Sequence, residues 1–198
     1  MNAVEQIALA SGLAWGSGLR LYAVVFAAGL LGRLGYLKLP LGLQVLQHEW
    51  VLIAAGAMLL IEFLADKIPL VDSIWDAVHS FIRIPAGAAL AAGALRNHDP
   101  ALMTVAALLG GTLAAGTHAA KAGSRALINT SPEPFSNIAA SVGEETLLVA
   151  GLYFAFVHPW VFLALLLVFI LVIVWLLPRL WRGIKLVLAR MRGRAPAG

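Results

Sequence analysis

The chain has 198 residues, 61% of them hydrophobic and only 12% charged, with a mean hydropathy of +0.90. A soluble domain carries roughly 25% charged residues, so this composition excludes an ordinary water-soluble protein and predicts an all-α integral membrane bundle. The absence of cysteine excludes disulfides, thiolate metal sites and thiol nucleophiles, and the net charge of +4 sits mostly in residues 179–198, which argues against nucleic-acid binding.

Six hydrophobic units are expected in a single transmembrane domain over residues 1–178. The start, MNAVEQIALA, carries Glu5 and no Lys or Arg. It lacks the basic opening of a signal peptide, so the first apolar stretch is expected to be retained. That stretch, residues 4–31, is about 27 residues long where a bilayer core needs about 20. Gly16-Ser17-Gly18 and then Arg20 interrupt it, which predicts two half-helices in place of one rod. A loop with Arg33, Lys38 and Pro40 leads to the second unit, residues 50–68, which ends at Pro69.

The third unit, residues 72–95, is amphipathic before Pro85 and small and apolar after it. About 12 uniformly apolar residues are too few to span a bilayer alone, so its charged half is expected inside a protein-lined interior or along the interface. In the next loop Asp99 is a predicted N-cap, with Pro100 in the first turn. The fourth unit, residues 101–117, continues as a helix bearing His118, Lys121 and Arg125. The polar connection NTSPEPFSN leads to the fifth unit, residues 136–157. His158-Pro159 then turns the chain into the sixth, residues 160–177. Glycines and alanines in units one, three and four predict close helix contacts.

Arg179, Arg182, Lys185, Arg190, Arg192 and Arg194 follow the last span. They read as a cytoplasmic tail attracted to anionic headgroups, with residues 184–189 expected as a short interfacial helix. Six crossings would place both termini in the cytoplasm, and localisation in a bacterial inner membrane is expected. Segments 1–96 and 100–178 share a form: an apolar helix, a charged end, a proline-containing turn and a returning helix. This pattern reads as an internal duplication, and a homodimer is one expected assembly. Trp15, Trp50, Trp75, Trp160, Trp175 and Trp181 fit interfacial belts.

The chemistry concentrates between Glu62 and Glu145. On an ideal helix Asp72, Asp76, His79 and Arg83 fall within an arc of about 60°. Glu62 and Asp66 are i,i+4 neighbours on the preceding helix, while His118, Lys121 and Arg125 share another arc. Asn137, Ser141, Glu144 and Glu145 form a polar stripe on unit five. A charge at the centre of a lone bilayer helix costs at least ~2.5–3.5 kcal/mol, so these faces are expected to converge on one another or on water. Seven acids against the bases Lys67, Arg83, Lys121 and Arg125 leave a formal balance of −3. Bound cations, protonated carboxylates or acids that reach water would each account for it.

Each residue has a plain reading beside the functional one. Asp72 is a natural N-cap, Arg83 can snorkel to headgroups, and His79 more often marks a hydrogen-bonded structural histidine than a metal ligand. The D-x3-D-x2-H spacing is too common to assign a metal, and no cofactor signature is present. His118, Lys121 and Arg125 suit an anion, and equally suit a role as counter-ions to Asp66, Asp72 or Asp76. Arg20 can pair with Glu62 or Glu144.

EFLADKIPLVDSIWDAVHSFIRIPAGA, HAAKAGSRALINTSPEPFSN and the earlier SGLRLY together resemble an uncharacterised bacterial membrane-protein family, a domain of unknown function, over about residues 5–178. The resemblance implies an integral membrane protein and brings no substrate or catalytic residue. EFL and GSR are also similar to short stretches of undecaprenyl-diphosphate phosphatases. The Ser/Thr- and Gly-rich contexts of that family are missing, so no activity follows.

The expected function is a small transporter or channel for a small ionic solute. His118, Lys121, Arg125, Arg20, Asn129 and Asn137 would bind the solute. Glu62, Asp66, Asp72, Asp76, His79 and Glu144 would carry protons or cations. A membrane-embedded enzyme on a lipid phosphate is the second reading, although no P-loop, HExxH or GxSxG supports it. A scaffold whose polar cluster only fixes helix packing is the third.

Overall fold

The computed structural model is all-α and describes residues 1–128 and 134–193, with side chains except those at 69, 70, 72, 73, 134 and 186–193. Helix α1 covers Ala3–Arg33 and is followed by a 3-10 helix, Leu41–Gln47. Then come α2 (Glu49–Ala65), α3 (Pro69–Ala94), α4 (Pro100–Ile128), α5 (Pro134–Val157) and α6 (Pro159–Gly193).

Local sequence explains most of the boundaries. Asn2 and Glu5 form a reciprocal capping box at the start of α1, each side chain accepting from the other's backbone N–H at 2.9 Å. Gly35, at φ +79°, ends that helix in the left-handed conformation glycine adopts freely. Pro69 opens α3 where its missing N–H costs nothing. The Asp99 carboxylate caps α4, accepting from Ala101 N–H at 2.7 Å, as expected from the sequence. Helix α6 passes through Pro178 and carries on to Gly193, so the first part of the basic tail extends this helix and no separate interfacial helix forms.

The decisive feature lies in α1. Arg20 has φ −148° and ψ 90°, outside helical space, so two half-helices meet there. Along a straight helix Gly16 and Val24 would stand roughly 12 Å apart. Here a Cβ placed on Gly16 would lie 2.7 Å from Val24 Cγ2, so the chain has doubled back. Both ends of α1 reach one end of the bundle. His98 Nε2 donates to Gln6 Oε1 at 2.5 Å beside the α3–α4 turn. Met1, Glu5 and Leu9 share a crevice with Tyr36, Leu37 and Lys38. The sequence places the break well, two residues beyond Gly18, and the structure adds that it is a reversal.

Helices α2 to α6 run lengthwise around this hairpin, and α1 touches every one of them. Of the most apolar stretch of α1, 67% is buried, against 28%, 22% and 17% in α4, α5 and α6. Helices α3 and α4 make the most extensive pair, drawn together by small residues: a Cβ on Gly87 would lie 2.5 Å from the Ala114 Cβ. Trp15, expected at an interface, is instead buried against Phe162 and Phe169.

By length and composition four helices, α1, α4, α5 and α6, could cross a membrane, or five with the bent pair formed by the 3-10 helix and α2. Among the described residues these candidate spans do not confirm the six crossings expected from the sequence. Because α1 turns back at Arg20, the five helices α2 to α6 run lengthwise, and the start of α1 and the described end of α6 lie at opposite ends of the bundle. Exposure is inverted relative to a soluble protein. Leu165, Leu167, Leu171 and Val174 lie on the outside while Arg20, Arg83 and Arg125 are enclosed, the arrangement an apolar solvent selects. The protein is thus a membrane protein with a buried charged cluster.

Candidate functional site

The charged end of the bundle gathers the last turn of α2, the first half of α3, the second half of α4 and the first half of α5. The tip of the α1 hairpin enters among them. A broken helix leaves backbone groups without intrahelical partners. The Leu19 carbonyl at the tip is met by Lys121 Nζ at 3.3 Å.

Arg20 projects from the tip. Its Nη2 lies 2.5 Å from Asp66 Oδ2, 2.9 Å from Ser141 Oγ and 3.3 Å from Glu145 Oε1. Its partners are therefore Asp66 and Glu145, and the sequence-based pairing with Glu62 or Glu144 is replaced. Glu62 pairs with Arg83, Oε1 to Nη2 at 2.5 Å, and Arg83 Nη1 reaches Asp76 Oδ1 at 2.7 Å. Arg83 is completely buried, so it does not snorkel to headgroups.

Lys121 sits at the centre, with Asp66 Oδ2, Asp76 Oδ1 and Glu144 Oε2 at 3.4, 3.5 and 3.6 Å. Arg125 grips Glu144 side-on, Nε to Oε1 at 2.9 Å and Nη2 to Oε2 at 3.0 Å, the planar fork that fits a carboxylate. Its Nη1 donates to the Asn137 carbonyl at 2.9 Å and to Asn137 Oδ1 at 2.5 Å. Asn137 Nδ2 in turn donates to the Asp66 carbonyl at 2.9 Å.

The two histidines are positioned by hydrogen bonds. His118 Nδ1 lies 3.1 Å from Arg83 Nη1, a pure donor, and its Nε2 lies 2.6 Å from Ser80 Oγ. That pattern asks for a neutral ring accepting at Nδ1 and donating at Nε2. His79 donates from Nδ1 to the Trp75 carbonyl at 2.8 Å and meets the Tyr22 hydroxyl at 3.1 Å through Nε2, while stacking on Trp75. The three residues expected to form one cationic face are thus divided. His118 joins Arg83 and Ser80, Lys121 sits in the middle, and Arg125 joins Glu144 and Asn137.

Three buried acids (Glu62, Asp66 and Asp76) and the partly exposed Glu144 face four buried bases (Arg20, Arg83, Lys121 and Arg125), so the described cluster is formally neutral. The partly exposed pair Lys67 and Glu145 adds one charge of each sign. The surplus of −3 read from the sequence omitted Arg20 and included Asp72 and Glu133. Asn129 and Glu133 lie outside the described residues, as does the Asp72 side chain. Among the described residues no three His, Asp or Glu converge as a metal-binding group.

Pairing is nonetheless incomplete. Glu62 Oε2, Asp66 Oδ1 and Asp76 Oδ2 are buried without a hydrogen-bond partner among the described residues, as are the Nε atoms of Arg20 and Arg83. A buried carboxylate oxygen left unmatched is costly, more than the ~1–3 kcal/mol of a neutral group. The core thus holds polar atoms that a water or a proton would satisfy.

Arg83, Ser141, Glu145, Tyr22 and Ser80 were not among the expected site residues. Arg83 was legible, on the same helical arc as Asp76 and His79. Glu145 and Ser141 were visible as part of the stripe on α5, and Tyr22 lies in the SGLRLY stretch. Only Ser80 carried no signal.

A family model described as a domain of unknown function, DUF4126, matches residues 7–179. Neither the curated proteins nor the solved structures give a match.

Proposed function

Because the chain belongs to the DUF4126 family of unknown function and takes no activity from it, we propose from its geometry that it is a small membrane transporter or channel for a small ionic solute. The observation that carries this reading is the α1 hairpin, whose tip brings Arg20 and the Leu19 carbonyl into charges supplied by four other helices. Non-helical backbone at membrane depth is tolerated where it is enclosed by protein or lines a hydrated path, and broken helices commonly build ion sites. Three unmatched carboxylate oxygens in the same core support passage of something polar. Asp66, Asp76 and Glu144 are the groups for proton or cation relay, and Lys121 and Arg125 are those for an anion. The basic residues Arg179, Arg182 and Lys185 in the last part of α6 support a cytoplasmic end of that helix in a bacterial inner membrane, with the start of α1 on the other side.

A second reading rests on the neutrality of the core. A cluster that balances its own charge can serve solely to fix helix packing in a scaffold. Proteoliposome flux separates the two readings. Purified protein is reconstituted and the efflux of protons, alkali cations, halides and small oxyanions is followed against empty vesicles. Transport predicts flux of at least one ion, reduced about tenfold or more in Arg125→Ala, where transition between states loses a charge-assisted contact. If every tested ion leaks as it does from empty vesicles, the scaffold reading stands.

A further inference from the structure

We propose that Glu144 occupies the solute site as a tethered stand-in, and that the solute is a small planar monoanion of the carboxylate or nitrate type which takes its place. This deepens the transport reading and rests on it for the solute's passage, while the site itself is a binding claim. Glu144 is held as a free carboxylate would be. Arg125 binds both oxygens side-on at 2.9 and 3.0 Å, and Lys121 Nζ approaches Oε2 at 3.6 Å. Arg125 is itself fixed by two bonds from Nη1 to Asn137, so its fork stays oriented whether or not Glu144 is present. The receptor is therefore preorganised for a flat, two-oxygen anion.

Charge balance decides that the anion replaces Glu144 and does not add to it. Among the described residues three buried acids and the partly exposed Glu144 balance four buried bases, so an extra anion would leave an uncompensated charge there, which is strongly disfavoured. A one-for-one exchange keeps the core neutral. Among the four acids Glu144 is also the one able to leave. Its side chain is 13% exposed, whereas those of Glu62 and Asp66 are fully enclosed and that of Asp76 nearly so, at 4%. Helical side chains lean toward the helix N-terminus, so Glu144 tilts toward the start of α5, at the charged end of the bundle. The neighbouring positions Val142, Gly143 and Thr146 are exposed.

The test is anion-dependent thermal stability of the full chain in detergent, comparing wild type with Glu144→Gln, using formate, acetate and nitrate as probes and chloride as the spherical control. Glu144→Gln is expected to gain stability saturably with the planar anions. The wild type should need at least about tenfold more of each, because a tethered carboxylate competes at an effective concentration in the millimolar range. Adding Arg125→Gln to the variant should abolish the response. A Glu144→Gln protein indifferent to all planar anions overturns the proposal, as does one stabilised equally by chloride. If that variant folds only when purified in formate or nitrate, the dependence supports the site; failure in every anion overturns it. Binding without flux would sink the transport reading and keep the site, whereas flux without binding would do the opposite.

Discussion

Asp66 Oδ2 lies within 4.0 Å of three cations, Arg20, Lys121 and Arg125. Neutralising it leaves buried positive charges with fewer partners, and breaking a buried pair in this way costs roughly 3–5 kcal/mol. Asp66→Asn should therefore lower unfolding stability in detergent by that amount. Glu145→Gln, whose side chain is 33% exposed, should cost about 0–1 kcal/mol. Equal losses in a denaturant titration would show that Asp66 is not the hub of the network. Residue by residue, the sequence indicated which helix faces are charged and left open which charges meet. Arg20, expected to pair with Glu62 or Glu144, finds Asp66, one turn along the same face of α2, and Glu145, the next residue and about 100° around α5. Helical periodicity fixes a side chain's direction around its axis. The axial offset between two helices depends on packing elsewhere, here on glycines such as Gly87 and Gly110.

At the scale of elements, the contact of α3 with α4 and of α1 with both depends on missing side chains. A Cβ on Gly87 would fall 2.5 Å from Ala114 Cβ and 2.7 Å from Ser17 Oγ, whereas one on Gly116 would meet nothing within 4 Å. Replacing glycine by alanine inside a helix gains roughly 0.8–1.0 kcal/mol of propensity, while overpacking a tight contact costs about 1–3 kcal/mol. Gly116→Ala should thus be neutral or stabilising, and Gly87→Ala destabilising, when the two are compared by thermal unfolding. Should the pair behave alike, the close approach of α3 and α4 is wrong. These contacts were legible in outline, since the alanine–glycine series on α3 and the glycines of α4 were expected to pack. Gly116 shows the limit of that inference. A small residue permits close approach, but the helix must also present it to a neighbour.

For the whole molecule, the difference between a long span and a hairpin changes everything downstream of α1. Residues 4–31 have the same composition either way, and apolar length alone favours one tilted crossing. The Gly16-Ser17-Gly18 stretch and Arg20 announced a break without its angle, because the angle is set by what surrounds the tip. Asp66, Ser141 and Glu145 hold Arg20, and Lys121 takes the freed carbonyl of Leu19. An extended Arg20 is tolerable only with those partners in place, and they come from α2, α4 and α5, far along the chain. The consequence is a parity: one re-entrant hairpin and five lengthwise helices put residues 2 and 36 at one end of the bundle and residue 182 at the other. Since the chain has no cysteine, single cysteines report this directly. In sealed vesicles of uniform orientation, Asn2→Cys and Tyr36→Cys should react with an impermeant thiol reagent from the same side, and Arg182→Cys from the opposite side. Six crossings would instead group Asn2→Cys with Arg182→Cys and leave Tyr36→Cys across the membrane, a result that would remove the hairpin and with it the entry of Arg20 into the charged core.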